Sequence, residues 1–270
     1  MEDAEYFQRI KDFLMQIYVC VKHVPDTAAN IKIAGENGFD DGGCKFIANP
    51  YDEYAIEAAV QLAEKNGGEA IVVCVGQEAA VGTLRQAMAM GAARGILVTV
   101  DGQFLDSLTT AKALQAAIEK DGQADLILAG KGAVDTEGFQ TAYRMAAAMN
   151  LPMVNEVNSL DVADGKAVVQ REMDGGARVK MAVKLPCVLG ATKGLNEPRY
   201  PKFPDIMKAK KKPVAQMSLA DLGIEAGSAT ELATLEAVPE RSGAKMLDGD
   251  LQAQVGELVR ILKEEEKVIS

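Results

Sequence analysis

The sequence predicts an α/β protein on a doubly wound parallel sheet, with an antiparallel ribbon and an extended C-terminal arm ending in a helix. Three observations carry that class. Short runs of β-branched and aliphatic residues recur early in the chain: QIYVCVK (16–22), EAIVVCV (69–75) and ADLILAG (124–130). Near-continuous apolar runs of this kind mark strands buried on both faces, as in a parallel sheet. Stretches of about 10–15 residues with helical periodicity separate them, which implies right-handed βαβ crossovers. Beyond Leu151 the rhythm changes to short alternating runs around tight turns.

Taken in order, residues 1–14 read as a leader, with Met15 an alternative start. The first strand is 16–22, and the polar, glycine-rich stretch 25–43 is a surface hairpin. After Asn49-Pro50, the stretch 51–65 places Ala55, Ala58, Ala59, Leu62 and Ala63 on one helical face, and Gly67-Gly68 stops it. A strand at 69–75, a helix at 77–90, a strand at 95–100 and a helix at 107–120 follow. The strand at 124–130 leads through a loop to a helix ending near Asn150. The ribbon comprises Leu160-Asp161, an Asp164-Gly165 turn, and runs at 167–171 and 178–183, with a returning strand at 187–192. From Val214 the composition is loop-like. A final helix at about 248–267 then aligns Leu251, Val255, Leu258, Val259 and Leu262. The expected division is a leader (1–14), an α/β body (15–213) and an arm (214–270).

Composition narrows the function. The formal net charge of -10 argues against broad nucleic-acid binding, which needs a basic face. No apolar run reaches the roughly 18–20 residues of a membrane span, and the first residues lack the basic start and apolar stretch of a signal peptide. A cytoplasmic protein is expected. The four cysteines form no C-x-x-C pair, His23 is the only histidine, and no catalytic triad, carboxylate pair or metal cluster can be assembled. The expectation is a protein without catalytic residues of its own.

A doubly wound sheet binds ligands beyond the carboxyl ends of its strands. Of those ends, only GKGAVDTEGFQT (130–141) suits a nucleotide: its glycines admit close backbone approach, and a helix start follows. It is neither a Walker loop nor a complete G-x-G-x-x-G, so a plain strand-to-helix turn stays open. Asp135 and Glu137 could be an acid/base pair, but acidic residues before a helix commonly just complement its dipole.

Residues 195–213, LNEPRYPKFPDIMKAKKKP, hold four prolines, two aromatics and the cluster Lys208, Lys210, Lys211 and Lys212. The prolines stiffen a loop that a partner would meet. That block, with VCVKHVPDT, NPYDEYAIEAA, AMAMGAARG, LILAGKGAVD, QREMDGG and LPCVLG in the same order, resembles the β subunit of electron transfer flavoprotein from Met15 to the C-terminus.

The resemblance implies a Rossmann-like subunit of the adenine-nucleotide-binding type. It implies pairing with an electron transfer flavoprotein alpha subunit that holds most of a shared FAD, fed by acyl-CoA or related dehydrogenases. It also implies a structural AMP, with a second FAD as the alternative found in bifurcating members. A stand-alone nucleotide-binding protein is the reading from another class. Carried over by position, the nucleotide contacts fall at Cys20, Asn49, Pro50, Tyr51, Asp52, Val75, Gly130, Lys131, Gly132, Ala133, Val134, Asp135, Thr136, Glu137, Gly138, Phe139, Gln140 and Thr141. Phe203 matches the apolar anchor for the dehydrogenase, and the docking segment opens at Leu195. Lys208 and Lys211 match the basic tail, and Glu172 matches an acidic position that pairs with an arginine of the alpha subunit. Phe139 departs from the small or polar residue usual in the family.

Overall fold

A computed structural model describes residues 14–269, apart from Gln103, Ala226, Ser228, Glu231 and 240–242. Residues 1–13 of the expected leader lie outside the described residues. The chain divides into two units, Met1–Leu235 and Glu236–Ser270.

In the first unit the elements run β1 (Met15–Cys20), β2 (His23–Pro25), β3 (Ile33–Ala34), β4 (Gly38–Phe39), β5 (Phe46–Ala48), α1 (Pro50–Asn66) and β6 (Gly68–Gly76). Then come α2 (Val81–Ala89), β7 (Arg94–Thr99), α3 (Ser107–Asp121), β8 (Leu126–Gly130) and α4 (Thr141–Ala148). The second half holds β9 (Met153–Ala163), β10 (Lys166–Glu172), β11 (Arg178–Lys184), β12 (Cys187–Ala191), α5 (Phe203–Ala209) and β13 (Val214–Ser218). Among the described residues the main sheet has nine strands in the order β11-β10-β9-β12-β8-β1-β6-β7-β13. The run from β9's start through β13 is parallel.

Successive strand residues point to opposite faces. Ile17, Val19, Val72, Leu97 and Leu128 pack under α1 and α2. Tyr18, Ile71, Val73, Ile96 and Ile127 pack under α3 and α4. Alanines on the helices let them approach the sheet closely, so a core with no tryptophan still closes. The chain winds from β1 out to β6 and β7, then crosses back to β8 on the other side of β1. The switch point is therefore between β1 and β8.

Two expectations need correction, and one gains detail. The expected antiparallel ribbon is present and continuous with the main sheet: β9 starts parallel to β12 (Met153↔Val188) and continues antiparallel to β10 (Val162↔Ala167). The sequence shows only its alternating half because its first half is buried. The proline-rich segment is not all loop. Pro204 sits in the first turn of α5, where the missing N–H is harmless. Val214–Ser218, expected to be loop-like, pairs with β7 and forms the sheet edge. An edge strand half open to water lacks the apolar run that marks interior strands. After it, Asp106 accepts from Ala229 N (3.0 Å), and the Thr109 hydroxyl donates to the Gly227 carbonyl (2.9 Å).

In the second unit, α6 (Leu251–Arg260) is capped by the Asp250 carboxylate, which accepts from Ala253 N (2.9 Å). It continues as one wider turn over Ile261–Glu265. Leu251, Val255, Leu258 and Val259 form an exposed apolar face on it.

Candidate functional site

Asn49 precedes Pro50 at the N-terminus of α1, but its side chain does not cap that helix. It crosses to the loop after β8 instead. Its Nδ2 donates to the Gly132 carbonyl (2.9 Å) and to Asp52 (2.9 Å), and its Oδ1 accepts from Val134 N (3.1 Å). Asp52, one turn into α1, accepts from Lys22 N just beyond β1 (2.7 Å) and from Gly130 N at the end of β8 (2.9 Å). Both side chains are almost wholly buried. Asn49 and Asp52, at the N-terminal end of α1, thus tie together the ends of the two strands that flank the switch point.

Only glycine fits at position 130, because a Cβ there would lie 2.3 Å from Asp52 Oδ1 and 2.9 Å from Asp52 N. The amides of Gly132, Ala133, Asp135 and Thr136 donate to no acceptor among the described residues. They form a row of backbone donors of the kind suited to an anion. Lys22 reaches the same loop, its Nζ 2.7 Å from Asp135. Lys131 lies 5.1 Å from the centre of the Tyr51 ring and 3.8 Å from Glu156. Burial pushes the Asp52 carboxyl up to about 7, against the opposing hydrogen bonds from Lys22, Asn49 and Gly130. The donor set suits a phosphate-bearing ligand, because unengaged amides lie beside two lysines.

The structure brings together Asn49, Pro50, Tyr51, Asp52, Gly130, Lys131, Gly132, Ala133, Val134, Asp135 and Thr136. The sequence reading missed Lys22, whose only signal was a charge directly after a buried strand. The Cys20 thiol faces Met145 (3.8 Å) on the α4 side of the sheet and is pushed far up by burial, so only its backbone lies near the strand end. Val75 stands in the last turn-facing part of β6, partly buried. Glu137 and Phe139 hold left-handed backbone (φ 46° and 51°), with Gly138 between them. Gln140 precedes α4 and accepts from Arg144 (2.7 Å), and Thr141 opens that helix.

The partner candidates lie on other elements. Arg199 of NEPRY anchors its segment along α1: its Nε and Nη2 bond the buried Glu57 (2.9 and 3.1 Å), and its Nη1 and Nη2 bond Glu64 (2.7 and 3.0 Å). Asn196 adds a bond to the Tyr54 carbonyl (2.9 Å). Leu195 is partly buried against the core. Beyond this anchor Tyr200 is 94% exposed and Phe203 73% exposed, joined on α5 by Ile206 and Met207. Phe203, Ile206 and Met207 share a helical face, which the sequence reading had reduced to Phe203. The lysine cluster divides. Lys212 Nζ donates to the carbonyls of Met88 (2.9 Å) and Ala92 (2.7 Å) at the end of α2, whereas Lys208 and Lys211 are exposed. Arg85 ties the same stretch down through the carbonyls of Ala209 and Lys212. Glu172 is exposed at the end of β10.

Fold and site define a doubly wound α/β protein with a row of unengaged backbone amides at its switch point; among the described residues no acidic, histidine or cysteine cluster is suited to a metal. No described helix is long and apolar enough to cross a membrane. The model of the electron transfer flavoprotein domain matches residues 38–222. Electron transfer flavoprotein subunit beta of Bacillus subtilis (strain 168) is 39% identical over 261 residues, covering 94% of this chain and 100% of that protein. The subunit beta of Syntrophomonas wolfei is 44% identical over 207 residues, covering 76% and 81%. The caffeyl-CoA reductase-Etf complex subunit CarD of Acetobacterium woodii is 36% identical over 261 residues, covering 93% and 98%. The chain belongs to the electron transfer flavoprotein family, among its beta subunits.

Proposed function

We propose that this chain is the beta subunit of a heterodimeric, cytoplasmic electron transfer flavoprotein and holds AMP as a structural nucleotide in the switch-point crevice. The observation that carries the reading is the crevice itself. Asn49 and Asp52 hold the loop so that the amides of Gly132, Ala133, Asp135 and Thr136 remain available, with Lys22 and Lys131 beside them. The FAD, held mainly by the alpha subunit, supplies the redox chemistry when bound. This chain's part is to brace that pair and to meet the dehydrogenase.

The exposed face of α5 suits the dehydrogenase contact, with Phe203 as anchor and Lys208 and Lys211 facing an acidic rim. Glu172 and the apolar face of α6 suit the alpha subunit. A second FAD in place of AMP is the alternative, supported by similarity to the CarD subunit. Co-expression with an alpha subunit and analysis of the released cofactors test the reading: one FAD and one AMP per heterodimer are expected. Two FAD would replace the AMP reading, and a stable monomer that ignores the alpha subunit would remove the carrier role. Phe203→Ala is expected to weaken the dehydrogenase contact by about 2 kcal/mol, roughly thirtyfold in the concentration dependence of flavin reduction, with FAD content intact. Unchanged reduction kinetics would remove Phe203 from the anchor role.

A further inference from the structure

We infer that Phe139 is a lid on the crevice, one that must swing off Gly132 before a phosphate-bearing nucleotide can enter or leave. The inference rests on the crevice reading above and adds to it a moving part. The Phe139 ring lies directly on Gly132: a Cβ built at that glycine would be 2.5 Å from both Cδ1 and Cε1 of the ring. Gly132 is one of the residues whose amide is unengaged, so the ring packs beside the backbone that an anion would approach. At 43% exposure the ring is open to solvent on one side rather than in the core.

The segment behind it has the mechanics of a hinged cover. Its near end is fixed by Asn49 Oδ1 on Val134 N and by the Lys22–Asp135 ion pair, and the Glu137 amide closes a turn onto the Ala133 carbonyl (2.9 Å). Beyond that brace, Phe139 adopts left-handed backbone that a bulky side chain rarely takes. Such strain persists only where the surroundings hold it, here the ring's seat on Gly132. Leaving the seat would let the backbone relax, which gives the proposed lid an open position distinct from the closed one.

The test uses the heterodimer purified with its nucleotide. Bound AMP is chased with isotopically labelled AMP, and exchange is followed by mass spectrometry. Phe139→Ala is expected to shorten the exchange half-time at least tenfold, whereas Phe139→Leu, which keeps an apolar cover, should stay within threefold of the parent. Gly132→Ala, which pushes the ring off its seat, should also exchange faster. AMP present but exchanging at the parent rate in Phe139→Ala would overturn the lid alone. A parent dimer that releases no adenine nucleotide would overturn the AMP reading, and the lid with it.

Discussion

Asp52→Ala is expected to destabilise the fold by about 4 kcal/mol at pH 5, the largest effect of any single change considered for this chain. Removing the carboxyl leaves the amides of Lys22 and Gly130 without their acceptor in a buried place, and each such orphan costs about 1–3 kcal/mol. The Asn49 amide loses one of its two acceptors as well. The cost should depend on pH with a definite sign. The folded carboxyl is raised to about 7 from 3.8, so the folded state holds this proton more tightly than the unfolded chain. Its contribution is fully present below the unfolded value and is lost as pH rises toward 7, at about 1.4 kcal/mol per pH unit. The stability difference between parent and variant should therefore shrink to roughly 1–2 kcal/mol by pH 7.5. Urea denaturation of both proteins at the two pH values checks this, and other titrating groups cancel in the difference. A difference that grows with pH would mean that the buried carboxylate is favoured over the acid.

Arg199→Ala is the second large effect, about 2–3 kcal/mol. Glu57 is buried in α1, and Arg199 supplies its charged partner through the guanidinium and through the Arg199 amide (3.0 Å). Breaking a buried pair from one side strands the other charge, at about 3–5 kcal/mol when both are fully enclosed. The guanidinium is about a third exposed, so water moderates the loss. Arg199→Lys should recover little, because one ammonium cannot bond Glu57 and Glu64 in the same forked geometry. Thermal denaturation of the two variants with the parent measures the ranking. A lysine variant as stable as the parent would mean that charge alone, not the fork, holds the segment.

The parallel body was legible because its strands are apolar runs and its helices carry small residues on one face. Asn49-Pro50 and Gly67-Gly68 bracketed α1 for reasons of backbone chemistry alone. The glycine-bearing strand end was legible, but not its construction: nothing in the sequence shows that Asn49 abandons its cap to reach Gly132. Lys212 was hidden among look-alike neighbours. Four lysines read as one basic cluster, yet only a fold that brings the end of α2 to them singles one out as a helix stop. Strand β13 was missed because an exposed edge carries no buried pattern. Phe139 was noticed for its size, but its contact with Gly132 follows from a left-handed backbone that sequence does not announce.

The exposed face of α5 is held at both ends, by Arg199 on α1 before it and by β13 on β7 after it. The consequence is kinetic. In the proposed dehydrogenase contact, a patch already set in shape would owe no ordering step at each encounter, so association would run at the orientation-limited rate of about 10⁵–10⁷ M⁻¹s⁻¹. With few apolar side chains to release, dissociation can also be quick. A carrier that must leave one protein to reach the next gains more from such rapid turnover of contacts than from tight grip.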